Sequence, residues 1–202
     1  MRIRLDEADF PLDGAVVEVG KRAVFEAAKQ EALSRGRVIV DIVVDGESVN
    51  DEEVFFSLSG GIDIQFLTQP VRELVGESVA EGLRYLPRLQ RGLDEVATRF
   101  EEGRDAEAQS AFAQAIEGIN WLIDVFNKSC MLLGISSAGL RSGRFEQDFE
   151  ALRDALEALV AAMEAGKSMS LAYLIREKLL PAIDAFAPYW QEISDLAEGR
   201  VQ

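Results

Sequence analysis

Histidine does not occur in this chain of 202 residues. Its absence removes the side chain that titrates near neutrality and the commonest metal ligand. Ser-His-Asp and Cys-His catalysis, His-bearing zinc sites and His-ligated haem go with it. Cysteine occurs once, at Cys130, so neither an intramolecular disulfide nor a thiolate cluster can form, and no oxidising compartment is required. Basic residues are few: 21 Lys and Arg stand against 36 Asp and Glu, giving a formal net charge of -15. Such a chain repels phosphate backbones and anionic lipid surfaces, so neither nucleic acid nor a membrane is expected as a partner. The longest basic cluster is the pair Lys21-Arg22, and the arginines between Arg72 and Arg104 interleave with acids as on a solvated helix face. Long apolar runs are missing too. The segment from Trp121 to Ile135 is interrupted by Asp124, Asn127 and Lys128, short of the roughly 18 apolar residues of a membrane span. Met1 to Glu7 lacks the apolar stretch of a secretory leader, and the expected location is the cytoplasm.

What is present is a globular composition, 48% hydrophobic and 28% charged, which predicts a folded chain throughout. Residues 1–69 carry strand signals. Arg37 to Val44 is β-branched and runs into Asp45-Gly46, a dipeptide suited to the two positive φ angles of a type I′ hairpin turn, with the return strand at Glu47 to Val49. Ile62 to Phe66 alternates apolar and polar residues. Short strands are also predicted at Arg2 to Leu5 and Ala15 to Val19. Lys21 to Arg35 reads as a helix closed by Gly36, with Val24, Ala27, Ala28 and Leu33 on its inner face.

At Thr68-Gln69-Pro70 the period changes from two to about 3.6, and a proline suits the first turn of a helix, which places a domain boundary there. Four helices are predicted in residues 70–202. The first, 70–102, carries Leu86, Leu89, Leu93, Val96 and Phe100, and a kink or break at Pro87. The second, 105–133, has Phe112, Ile116, Ile119, Ile123 and Phe126 on one stripe. The third, 144–165, has Phe145, Phe149, Leu152, Leu156, Leu159 and Met163. The fourth, 168–197, has Leu171, Ile175, Leu179, Phe186, Trp190 and Ile193, with bends at Pro181 and Pro188. Stripes near a 3.5 period with short connections bury one another best in an antiparallel bundle. The expected fold is α+β: a small N-terminal β-rich α/β domain (1–69) with a β-hairpin, followed by a predominantly antiparallel four-helix bundle (70–202).

Few residues carry chemistry. Asn120, Trp121 and Asp124 fall within about one helical turn, an arrangement that can hydrogen-bond a ligand beside an indole platform; equally, Trp121 can be core. Tyr189-Trp190 follows Pro188, where a bent helix widens a groove, and aromatics with a polar handle are enriched at binding hot spots. Core packing is the competing reading for that pair as well. Arg141 and Arg144, in the Gly/Ser-rich connection before the third helix, suit an anion site at exposed amides, though the lysine and spacing of a phosphate loop are lacking. Glu117 and Asp124 lie two turns apart, about 10 Å along a helix, too far to share one metal unaided. No cofactor and no metal site is expected; without His and paired Cys a transition metal or haem is disfavoured, the remaining oxygen ligands being better suited to Mg or Ca. Cys130 reads as an inert buried thiol.

Two segments resemble a known group. Leu93 to Trp121, with Gly103-Arg104-Asp105-Ala106-Glu107-Ala108 and Phe112-Ala113-Gln114-Ala115-Ile116-Glu117-Gly118-Ile119-Asn120-Trp121-Leu122, resembles an uncharacterised family of bacterial helical proteins, and Leu171 to Pro181 resembles a second segment of it. The likeness spans roughly residues 75 to 195. That group typically has acidic residues where this chain has Tyr173 and Lys178, and it brings no known activity. The turn Glu102-Gly103-Arg104-Asp105 is faintly similar to flagellar secretion chaperones. An acidic helical bundle without catalytic chemistry, joined to a unit that offers sheet edges, points to a non-enzymatic protein-binding module, adaptor or chaperone-like, whose partner is another protein. A homo-oligomer is compatible with the same features. The alternative is a small-ligand sensor with a pocket between bundle helices; an enzyme is the least favoured reading.

Overall fold

The computed structural model describes residues 2–11, 20–49, 51–60 and 62–200. The strand expected at Ala15 to Val19 lies outside them. Contacts divide the chain into two compact units, Met1–Leu74 and Val75–Gln202.

Among the described residues the first unit has a five-stranded mixed sheet and two helices. In chain order the elements are β1 (Arg2–Leu5), β2 (Ala8–Asp9), α1 (Lys21–Ser34), β3 (Arg37–Val44), β4 (Glu47–Ser48), α2 (Glu52–Ser57) and β5 (Asp63–Pro70), and the sheet order is β2-β1-β5-β3-β4. β5 enters last and lies in the middle, parallel to β1 and antiparallel to β3. The hairpin forms as the sequence suggests: Asp45 and Gly46 take φ of 51° and 92°, the two left-handed positions that twist the flanking strands correctly. α1 stops at Gly36, whose φ of 67° admits the left-handed turn. Its buried face is Val24, Phe25, Ala28 and Ala32; Leu33, expected inside, is exposed. These side chains pack with Ile3, Leu5, Ile42, Phe55, Ile64 and Phe66 into one core. α2 has no counterpart in the sequence expectation. It is capped by Asp51, whose carboxylate accepts from the amides of Glu53 and Val54 at 2.8 and 3.0 Å. Pro70 ends β5 opposite Arg37 instead of opening the next helix, a strand end being where a missing amide donor is tolerated.

The helices follow: α3 (Val71–Glu101), α4 (Asp105–Leu133), a 3₁₀ stretch (Ser137–Gly143), α5 (Phe145–Glu164), α6 (Ser168–Leu174), a π turn (Ile175–Leu179) and α7 (Leu180–Ala197). α3 runs through Pro87 without a break. The fourth expected helix is α6 and α7 joined by the π turn, which ends just before Pro181. A proline ring crowds the carbonyl four residues back, here Glu177, and a wider turn relieves that crowding. Tyr85 meets Trp121 between α3 and α4. Gln90 donates to Asp184, and Arg176 bonds Asp94, Thr98 and Glu101, between α3 and the α6–α7 segment. Further along α3, Arg99 faces Ala106, Glu107 and Ser110 of α4 across a shared depression, so residue numbers run in opposite senses in both pairings and these helices are antiparallel. The centre is aromatic: Phe126 stacks on Phe145 at 5.3 Å, with Trp190 at 5.9 Å from Phe126 and Tyr189 edge-on to Phe145 at 5.5 Å.

The buried faces differ from the predicted stripes in one respect. α4 buries Ala108, Phe112, Ala115, Ile119, Leu122 and Phe126, while Ile116 and Ile123 flank the seam half-exposed. α5 buries Phe145, Leu152, Ala155, Leu159 and Ala162, leaving Leu156 at the flank and Met163 exposed. Alanine at these positions permits close approach of backbones, and the larger side chains fill the edges. Among the described residues no helix is long and apolar enough to cross a membrane.

Candidate functional site

α3 and α4 form a long antiparallel pair, and their outer seam is open. Its floor is small: Gly92, Ala111, Ala115 and Gly118. Its widest part is an open depression of ≈ 680 Å³ lined by Glu81, Arg84, Tyr85, Arg88, Gly118 and Trp121. The Tyr85 and Trp121 rings meet edge-to-face, centroids 5.5 Å apart at 83°, the geometry that places the positive edge of one ring on the negative face of the other. Gly118 makes the arrangement fit. A Cβ there would overlap the Tyr85 hydroxyl and lie 2.9 Å from its Cζ. Trp121 is 37% exposed, so the pair is presented at the surface.

Three arginines border this aromatic pair or continue its stripe. Arg84, Arg88 and Arg91 stand at i, i+4 and i+7 of α3, on one face, and all are exposed. Among the described residues none of them has an ion pair, a hydrogen bond or a ring contact. The solvated helix face read from the sequence is seen here, but the interleaved acids do not pair with these three arginines. Asp94 and Glu95, the acids at helical spacing from Arg91, are taken elsewhere, Asp94 by Arg176 at 2.7 Å and Glu95 by Arg99 at 3.6 Å. One cue was legible: Arg88 has no acid three or four residues away on either side.

The other residues singled out above are scattered. Asn120 is exposed beside Trp121, and Asp124 is paired with Lys128 at 2.7 Å. Tyr189 and Trp190 are core, 0% and 2% exposed. The bend at Pro188 opens no groove, because α7 stays helical through it and carries both rings inward. The Tyr189 hydroxyl donates to Asp148 at 2.5 Å; burial, then that hydrogen bond, push its pKa up to about 12. Arg141 sits 5.7 Å over the Tyr189 ring. The backbone amide expected to receive an anion is already used, since Arg141 N–H donates to the Glu192 carboxylate at 2.9 Å. Arg144 is exposed at the start of α5. An internal carboxylate has thus taken the role foreseen for a ligand. Cys130 is buried, and burial pushes its thiol up to about 11, which suppresses the reactive thiolate.

Inside the helices, the space among Leu89, Leu122, Phe126, Phe186 and Trp190 is ≈ 30 Å³ and apolar, about the size of one water. Among the described residues no three Cys, Asp or Glu side chains converge as metal ligands would. No curated protein and no solved structure matches the chain. The stretch read above as resembling an uncharacterised family does find a match: the domain of unknown function DUF8042 covers residues 77–188, more than half of the sequence, and includes α4, the π turn and most of α3, so the chain belongs to that family.

Proposed function

We propose that this chain is a non-enzymatic protein-binding module, adaptor or chaperone-like, that engages another protein through the α3–α4 groove. The observation that carries the reading is the Tyr85–Trp121 pair, held at the surface over Gly118 beside arginines that form no ion pair among the described residues. Aromatic and arginine side chains in a depression are the anchors of protein interfaces. The antiparallel contacts support reading residues 75–202 as an up-down four-helix bundle in which α6, the π turn and α7 act as one helix. A rigid bundle suits the role, because a preorganised helix face binds with little ordering cost. A lone thiol held protonated suits a reducing cytoplasm. The alternative of a small-ligand pocket between helices has less support, since the apolar space inside the helices is ≈ 30 Å³ against the about 300 Å³ or more of metabolite pockets, and the larger α3–α4 depression of ≈ 680 Å³ is open to solvent.

The two tryptophans provide the test. Trp190→Ala removes a core side chain and should cost about 3–5 kcal/mol with a fall in Tm. Trp121→Ala, at a side chain already 37% exposed, should cost less, about 1–2 kcal/mol from the aromatic pair and the part of the ring that is covered, while stoichiometric partner capture from the native cell is lost. Unchanged capture by a folded Trp121→Ala protein would falsify the groove as the binding surface.

A further inference from the structure

We propose that the α3–α4 groove takes an acidic segment of its partner, whose carboxylates pair with Arg84, Arg88 and Arg91 while an apolar side chain meets the Tyr85–Trp121 pair; this rests on reading the groove as a protein-binding surface. The three guanidinium groups lie on one helical stripe, separated by about 6 and 4.5 Å along the axis. That is also the spacing of carboxylates at i, i+4 and i+7 on a docked helix. Guanidinium forks match carboxylate oxygens in pairs, which makes such contacts directional.

The argument for an external counter-charge is that an internal one was available and is not used. Acids outnumber bases by 36 to 21, and Arg2, Arg4, Arg22, Arg35, Arg37, Arg99, Arg104, Arg153, Arg176 and Arg200 each find a carboxylate. Among the described residues Arg84, Arg88 and Arg91 do not, although Glu81 borders the same depression; the Arg141 and Arg144 side chains find none either, but Arg141 lies over the Tyr189 ring and only the α3 arginines form a stripe. The acids nearest Arg91 are held by Arg176 and Arg99, which keeps the stripe open. A nucleic acid is the weaker candidate. Three arginines release few counterions, and the net charge of -15 opposes a long polyanion.

The experiment uses the full chain at physiological ionic strength and three labelled probes: a short helical peptide with Glu at i, i+4 and i+7 around a central Trp, its Gln-for-Glu twin, and oligothymidylate. The acidic peptide should bind at least about tenfold tighter than the twin, the scale expected when charged hydrogen bonds are exchanged for neutral ones. Arg84→Gln/Arg88→Gln/Arg91→Gln should erase that difference with an unchanged circular dichroism spectrum, and Trp121→Ala should weaken both peptides alike. Equal binding of the two peptides, with Trp121→Ala still weakening both, overturns the acidic segment and leaves the groove. Tighter binding of oligothymidylate than of the acidic peptide overturns it in favour of a nucleic acid. No binding of either peptide overturns both the acidic segment and the groove.

Discussion

Tyr189 is held neutral by its surroundings, and its ionisation marks how the aromatic centre is closed. Its folded-state pKa, about 12, lies above the ordinary value of 10 because burial, and then Asp148, disfavour the phenolate. The sign follows from linkage: the unfolded chain loses this proton first, so the stability contributed is fully present below about pH 10 and falls as pH rises toward 12. Urea midpoints of the parent and Tyr189→Phe proteins should converge across that window, with the variant about 1 kcal/mol less stable near neutrality through the lost hydrogen bond. Midpoints that stay parallel up to pH 11 would contradict this. At residue scale the sequence left both tryptophans open between core and surface. Trp190 and Trp121 occupy similar apolar stripes, and only the packing of α7 against α3 and α5 separates the indole that is 2% exposed from the one that is 37% exposed.

Helix α3 contains glycines whose surroundings assign them opposite effects. A Cβ on Gly82 would collide with the buried six-membered ring of Trp190, 2.7 Å from its Cη2, whereas a Cβ on Gly76 or Gly92 meets nothing within 4 Å. Gly82→Ala should therefore cost about 1–3 kcal/mol by overpacking. Gly76→Ala and Gly92→Ala should each gain about 0.5–1 kcal/mol, the propensity difference in a helix interior. Melting temperatures of the three variants decide the point, and a stabilised Gly82→Ala protein would mean the α3–α7 contact is loose. At this scale the sequence was most informative where an element is long and its period clean. α4 was expected at 105–133 and is found at Asp105–Leu133. α2 was invisible to periodicity because six residues complete fewer than two turns; its one signal was Asp51 ahead of two glutamates. The π turn was read as a bend because proline announces strain without saying how the backbone absorbs it. The arginine stripe was missed for a different reason. The acid that neutralises a neighbour in sequence is drawn off by Arg176, 82 residues away from Asp94, and no local pattern contains that contact.

For the whole molecule, the helices of the second unit bury their stripes in one another, so residues 70–202 should fold without residues 1–69. A cooperative thermal transition by circular dichroism, with helix content retained, is the expected result. A truncated chain that is unstructured would show the second unit to be dependent on the first. The first unit alone, about 70 residues, sits where a single core is marginal. The arginine stripe has a kinetic consequence on a molecule this acidic. From a distance the protein presents only its charge of -15, and the cationic groove is felt within about 8 Å at 0.15 M salt, the screening length there. An acidic partner is thus repelled from most directions and attracted from one, and encounter becomes selective for orientation. Added salt should raise the association rate by weakening the long-range repulsion, and raise the dissociation rate more by weakening the contacts themselves. Stopped-flow traces across a salt series would resolve these as two slopes of the same sign, a pattern opposite on the association limb to that of an ordinary pair of oppositely charged proteins.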